Sequence, residues 1–417
     1  MKKATCTLLF FLLICWASTA QDTVFNASKF GIRSDGITLN TRSIQKAIDW
    51  ISEQGGGTLR FWVGRYLTGS IHLRSNVNLD LQEGAILVGS TNPYDYDKVA
   101  GCYALVIAEK EHDIRISGKG CIVGNGRELA NNFTQAVYDG ILKDPLKYDR
   151  VGGRARLVYF RECQNIRISG IWLKDDAICL KSHSRDHLCQ NVEVRNCVAR
   201  SSASGIKLGT FGLGGFKNIR IIHNKVYDTH RSAITIQSVD GGICENILVD
   251  SLYAVHTSNP FYLVVGERRG RRSSMHDITL RNLYCEVPDG KADAGYEYEG
   301  PVEDLPRNPS PSSIIGLEGN RIENVILENI TLIYPGGGDT NVACVRSNEL
   351  SKVPEMPDAY PEFSQHKELP AWGIYVRHAR NVLLKNIKLT ARKSDYREAV
   401  IFDDAPECQM QNCKVDD

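Results

Sequence analysis

The chain has 417 residues, and its 50 Lys and Arg stand against 49 Asp and Glu, a formal charge of +1. A balance this even, with both signs mixed along the length, excludes a nucleic-acid footprint and a polybasic membrane patch. With 42% hydrophobic residues and no long run of one sign, disorder is excluded too.

Residues 1–20 read as a secretory signal: Lys2 and Lys3, an apolar run from Leu8 to Ile14, then Ala17-Ser18-Thr19-Ala20 before Gln21. The run is too short to span a membrane, and no later stretch approaches about eighteen apolar residues. The expectation is therefore an exported chain, periplasmic or extracellular, with no membrane span, in which residues 21–417 form one domain. Export permits disulfides without requiring them. The cysteines after Ala20 form no CxxC pair and no cluster with histidines, so no metal site is expected and they read as small buried hydrophobes.

From Asn40 to Ile51, apolar residues recur at helical spacing and the stretch runs out at Gly55-Gly56-Gly57. It predicts an amphipathic helix that caps one end of the fold. Beyond it a phrase recurs: an Asn or Asp, then a short alternating Ile/Val/Leu strand. It begins at Asn76, Asp113, Asn165, Asn191, Asn218, Asn246, Asp277, Asn324 and Asn381, and between Asn165 and Asp277 the steps are 26, 27, 28 and 31 residues. Short strands at so regular a spacing predict the coils of a parallel β-helix. In the phrase at Asn165, alternation turns Ile166 and Ile168 inward and Arg167 outward. No coil buries its own apolar face, so stacking must make one continuous core. Asn at the same place in every coil suits a turn that needs left-handed backbone and a locally hydrogen-bonding side chain. Two stretches break the rhythm, from Glu286 to Pro311 and from Pro335 to Leu369. As long excursions from a rigid scaffold they are candidate binding elements.

The opening Lys29-Phe-Gly-Ile-Arg-Ser-Asp-Gly, Gly64-Arg-Tyr-Leu-Thr-Gly-Ser-Ile, Asp175-Asp-Ala-Ile-Cys-Leu-Lys-Ser, Gly316-Leu-Glu-Gly-Asn and Leu369-Pro-Ala-Trp-Gly-Ile-Tyr-Val-Arg-His resemble the polygalacturonase-like hydrolases of glycoside hydrolase family 28, in particular bacterial, Bacteroides-type members. The resemblance implies an all-β, single-domain, right-handed parallel β-helix with an N-terminal capping helix. It also implies inverting hydrolysis of galacturonic-acid linkages in pectic polysaccharides or oligosaccharides, without cofactor, by a monomer. Asp175 and Asp176 match the family's paired aspartates, the first as general acid and the second helping to hold the water. Adjacent like charges raise one pKa, which suits an acid that must stay protonated.

The sequence also departs from the pattern. Asn165-Ile-Arg-Ile-Ser-Gly-Ile-Trp-Leu-Lys runs straight into Asp175, with no third aspartate one coil earlier, as if a coil of the catalytic region were absent. Ser204 stands where the family has a histidine, and Thr235-Ile236-Gln237 where it has Arg-Ile-Lys. Around the aspartate pair, alternation puts Ile178, Leu180, Ile206 and Leu208 inward and brings Lys181 and Lys207 out on one solvated face, a stack suited to an acidic sugar. Arg268, in Gly266-Glu-Arg-Arg-Gly-Arg-Arg, is a further candidate for a substrate carboxylate. His183, His187, His230 and Arg231 read as turn residues, and Tyr296-Glu-Tyr-Glu as loop packing. Two alternatives stay open: a catalytically impaired β-helix that binds uronate-rich glycans, and a calcium-dependent pectate lyase, for which two aspartates are too few ligands.

Overall fold

In the computed structural model the described residues are 23–99, 102–142, 155–174, 178–201, 203–290, 292 and 308–416. The signal read in residues 1–20, the pair Asp175 and Asp176, and Tyr296-Glu-Tyr-Glu all lie outside them.

The described strands join in a single 27-stranded sheet that winds into a solenoid, with parallel pairing throughout its coils. Each coil carries three strands, and three vertical columns of core side chains result. On the first sheet the column runs Val158, Ile178, Ile206, Ile234 and Phe261. On the second it runs Ile166, Val192, Ile219, Ile247, Ile278, Val325 and Val382. On the third it runs Leu173, Ala199, Val226, Ala254, Cys285, Leu332 and Leu389. All of these are buried in one hydrophobic cluster. At about 1.5–3 kcal/mol for each fully buried aliphatic side chain, the columns dominate the stabilisation. Cys163, Cys189, Cys197, Cys244 and Cys285 are free thiols inside this core, and burial pushes the Cys163 and Cys244 thiols up to about 12. These five act as the small buried hydrophobes expected, whereas Cys121, Cys179, Cys344, Cys408 and Cys413 are free thiols that are only half-buried.

The corners explain the repeated asparagine. All nine phrase-opening residues have positive φ, with Asn165, Asn191 and Asn218 each at 55°. Asn and Asp tolerate this left-handed backbone better than other side-chain-bearing residues. The expected local hydrogen bonds give way to bonds that run from coil to coil. The amide of Asn191 donates to Asn165 Oδ1 at 3.0 Å, Asn218 to Asn191 at 3.0 Å, and Asn246 to Asn218 at 2.7 Å. Parallel coils about 4.8 Å apart put identical amides within reach of one another, so the ladder follows from the register.

The helix Thr41–Glu53 closes the N-terminal end, burying Ile44, Ala47, Ile48 and Ile51. A second helix, Gly126–Tyr138, has no counterpart among the elements read from the sequence; it leans Phe133 on Tyr103 at 5.1 Å between ring centroids. Among the described residues no helix is long and apolar enough to cross a membrane.

Candidate functional site

The strands Ile178–Ser182, Ile206–Gly212 and Gly215–Ser238 are neighbours on the first sheet. Ile178, Leu180, Ile206, Leu208, Ile234 and Ile236 fill the core, so the intervening residues must face outward. Lys181 and Lys207 do so, yet they are neither solvated nor stacked. Lys181 is 2% and Lys207 7% exposed. Lys181 lies opposite Arg161, whereas Lys207 lies opposite Cys179, so the two are out of step along their strands.

The excursion 335–369 covers Lys207, at Tyr360, whereas Lys181 is held against Gly209 and Phe211 of the neighbouring strand. The excursion lies as a strap across the outer face of the first sheet, with its own small core in which Val353, Phe363 and Leu369 meet Val239, Tyr262, Val264 and Tyr375. Polar anchors tie it down. Gln237 Nε2 donates to Pro361 O at 2.6 Å, Arg231 pairs with Glu362 at 2.6 Å, and Arg377 Nη1 donates to Val353 O at 2.8 Å. Tyr262 is hydrogen-bonded to His366 at 3.3 Å, and burial holds that imidazole neutral, its pKa down at about 4. Arg231, read from sequence as a turn residue, is thus a strap anchor.

Where the strap's edge meets the sheet, cations and aromatic rings gather. Lys207 Nζ donates to the Tyr360 hydroxyl at 3.3 Å and sits 5.2 Å from the ring centroid. Arg268 lies 5.6 Å over the same ring. The Lys207 charge is the first cause of a lowered Tyr360 phenol pKa, because it favours the phenolate. A second ring, Phe211, carries Lys181 at 5.9 Å and Arg269 at 5.0 Å. Lys181 Nζ also donates to Gly209 O at 2.6 Å. His183 stacks on Phe211 with centroids 4.4 Å apart and is hydrogen-bonded to the Tyr159 hydroxyl at 2.8 Å. Burial first, then the Arg161 and Lys181 charges, lower its pKa to about 3, so it is a neutral element of the cluster rather than a turn residue.

Asp240 links the two rings. Its Oδ2 accepts the Phe211 backbone N–H at 2.7 Å, while Oδ1 stands 3.7 Å from Arg268 Nη1 and 3.9 Å from Arg269 Nε. Asp240 is buried, and among the described residues neither its Oδ1 nor Arg268 Nη1 has a hydrogen-bond partner. Sequence reading missed Asp240, Phe211, Tyr360 and Glu362. The alternation that turned Lys181 and Lys207 outward and the Arg-rich phrase containing Arg268 and Arg269 signalled this site.

No family model matches the chain. It is 30% identical over 261 residues to an exo-poly-alpha-D-galacturonosidase of Dickeya chrysanthemi, covering 52% of this chain and 42% of that one. It is 33% identical over 303 residues to a Vitis vinifera protein named as a probable polygalacturonase, covering 61% and 59%. The chain thus spans less than two thirds of the length of these relatives. Among solved structures, the family 28 exopolygalacturonase of Yersinia enterocolitica superposes with a TM-score of 0.54 at 18% identity, covering 95% of this chain and 78% of that one. The chain is a glycoside hydrolase family 28-like protein. The fold alone does not fix what such a protein does: the Streptococcus pneumoniae surface adhesin PfbA superposes with a TM-score of 0.56 at 13% identity, covering 94% and 90%.

In this family 28-like chain the departing positions have structural work. Ser204, in the histidine's place, and Thr235, at the first position of Thr235-Ile236-Gln237, are buried and hydrogen-bonded to each other at 3.0 Å. Gln237, at the third, holds the strap. Among the described residues the cluster sets Lys181, Lys207, Arg268 and Arg269 against Asp240, while Glu362 is engaged by Arg231, and so offers positive potential to an anionic chain.

Proposed function

We propose that the protein is an exported glycoside hydrolase acting on galacturonic-acid linkages of pectic polymers or oligomers, with inversion, and that Asp175 and Asp176 form its acid and water-holding pair. The observation that carries this reading is the cluster in which four cations and two aromatic rings converge next to the strand that this pair leads into, Ile178–Ser182. Cations suit the uronate carboxylates, and rings suit the apolar faces of sugars. The names of the two curated relatives point the same way.

The test is reducing-sugar release from polygalacturonate and rhamnogalacturonan, comparing the unmutated protein with Asp175→Asn and Asp176→Asn, with and without chelator. Release that both substitutions abolish and chelator leaves intact is the expected result. A second reading is a catalytically impaired binder of uronate-rich glycans. It is favoured by Ser204, Thr235 and Gln237, whose side chains are committed to each other and to the strap. In that case the protein is retarded on a polygalacturonate affinity gel but releases nothing.

A further inference from the structure

Lys207 presents an unusual electrostatic situation. It is 7% exposed, and among the described residues no carboxylate lies within ion-pairing distance of it. A buried ammonium without a counter-charge is costly, and a hydroxyl and a ring face compensate it only in part. Arg268, in the turn 268–270 beyond the strand Ile243–Val265, adds a second cation: its Nη1 is buried without a hydrogen bond and is paired only loosely, 3.7 Å from Asp240 Oδ1. Between the two cations stands Tyr360, tethered by neighbours on the strap, with Gln237 holding Pro361 O, Arg231 holding Glu362 and the Glu267 N–H bonded to Pro357 O at 2.9 Å. Although its hydroxyl is engaged, 49% of Tyr360 still faces solvent. The sheet therefore supplies one cation with no counter-charge among the described residues, the turn after it supplies one that is only loosely paired, and the strap supplies the exposed ring that both approach.

We propose that Tyr360 is a specificity-determining residue of this cluster: its ring is the platform for one hexuronate ring, whose carboxylate completes the charge compensation of Lys207 and Arg268. The inference rests on the uronate-glycan reading above and assigns the recognition of one sugar unit to an excursion rather than to the coils. Tyr360 also positions Lys207 through their hydrogen bond, so platform and charge are separable by substitution. Tyr360→Phe keeps the ring and releases Lys207, whereas Tyr360→Ala removes both. Asp240 pairs with Arg268 and Arg269 at 3.7 and 3.9 Å, beyond hydrogen-bonding distance, so one carboxylate is shared by two guanidinium groups.

The test is calorimetric titration of the full chain with a galacturonate hexamer and with the same hexamer reduced at C6 to the neutral sugar. The unmutated protein is expected to prefer the acidic hexamer, with a preference that shrinks as salt is raised. Tyr360→Ala should weaken binding of the acidic hexamer by about tenfold, the scale of a lost aromatic platform and cation contact. Tyr360→Phe should cost less than about threefold, and Lys207→Met should erase most of the preference for the acidic form while leaving the neutral one unchanged. Melting temperatures matching the unmutated protein keep these readings free of unfolding. If the unmutated protein prefers the acidic hexamer but Tyr360→Ala and Lys207→Met both bind it within about twofold of normal, the Tyr360 subsite is wrong and the uronate reading stands. If the unmutated protein neither binds nor cleaves any uronate oligomer, the uronate reading falls, and the subsite with it.

Discussion

The outer corner of the second sheet and the outer face of the first are built from the same coils, yet they use polar residues in opposite ways. At the corner, each asparagine repeats its neighbour: Asn165, Asn191, Asn218 and Asn246 share one backbone conformation and hand one amide bond from coil to coil. On the first sheet no outward residue among the described ones repeats in this way. Tyr159, Cys179, Lys207, Thr235 and Tyr262 succeed one another on adjacent strands. Repetition satisfies polar groups within the solenoid; its absence leaves groups whose partners must come from elsewhere, from the strap or from a ligand. Periodic positions are thus about stability, and aperiodic ones about recognition.

Substitutions can break or sharpen this contrast, the largest effect coming from backbone packing between coils. Gly215 has φ of 102°, and a Cβ there would come within 2.0 Å of Ile243 O. Gly215→Ala should therefore cost about 4 kcal/mol or more and abolish soluble expression or lower the melting temperature steeply, as read by circular dichroism. Ile278→Ala, in the middle of the second column, should cost about 3–4 kcal/mol through the cavity it leaves, measurable as a lowered urea midpoint.

The strap answers to pH where the ladder does not. His366 has its pKa lowered from the ordinary 6.5 to about 4, so between these values the folded protein holds it neutral while the unfolded chain protonates it. Its contribution is complete above about pH 6.5 and is lost as pH falls toward 4, on the order of 3 kcal/mol in all. Melting temperature should fall across that window, and His366→Gln should flatten the fall; an unchanged slope in that variant would show that the strap's docking does not depend on a neutral imidazole. The smallest effect belongs to the ladder: Asn218→Ala loses two exposed amide bonds and a favoured left-handed residue, about 1 kcal/mol by thermal denaturation, with no change in binding of uronate oligomers.

How much could be read in the sequence divides along the same line. The inward Ile and Leu of each phrase, the asparagine corners and the Thr41–Glu53 helix arise from local periodicity, which is written into neighbouring residues. The burial of Lys181 and Lys207 does not, because alternation says which way a side chain points and not what covers it. Lys207 meets Tyr360 across 153 residues of chain. The strap has no repeat to betray its docking, and Asp240 reads as an ordinary turn aspartate until its contact with Phe211 is seen.

The asparagine corner carries a last implication for length. Because each coil pairs with the coil before and the coil after, and the corners Asn165, Asn191, Asn218 and Asn246 offer one another the same amide, coils within that run can become neighbours in any order. Excising one complete turn then rejoins the stack without a seam. A β-helix of this kind tolerates changes in units of about 26 residues, the step from Asn165 to Asn191, far better than changes of two or three. Architecture and chemistry are thereby uncoupled: a stack of this kind would close over an excised turn, and only the groups that the turn carried would be forfeited.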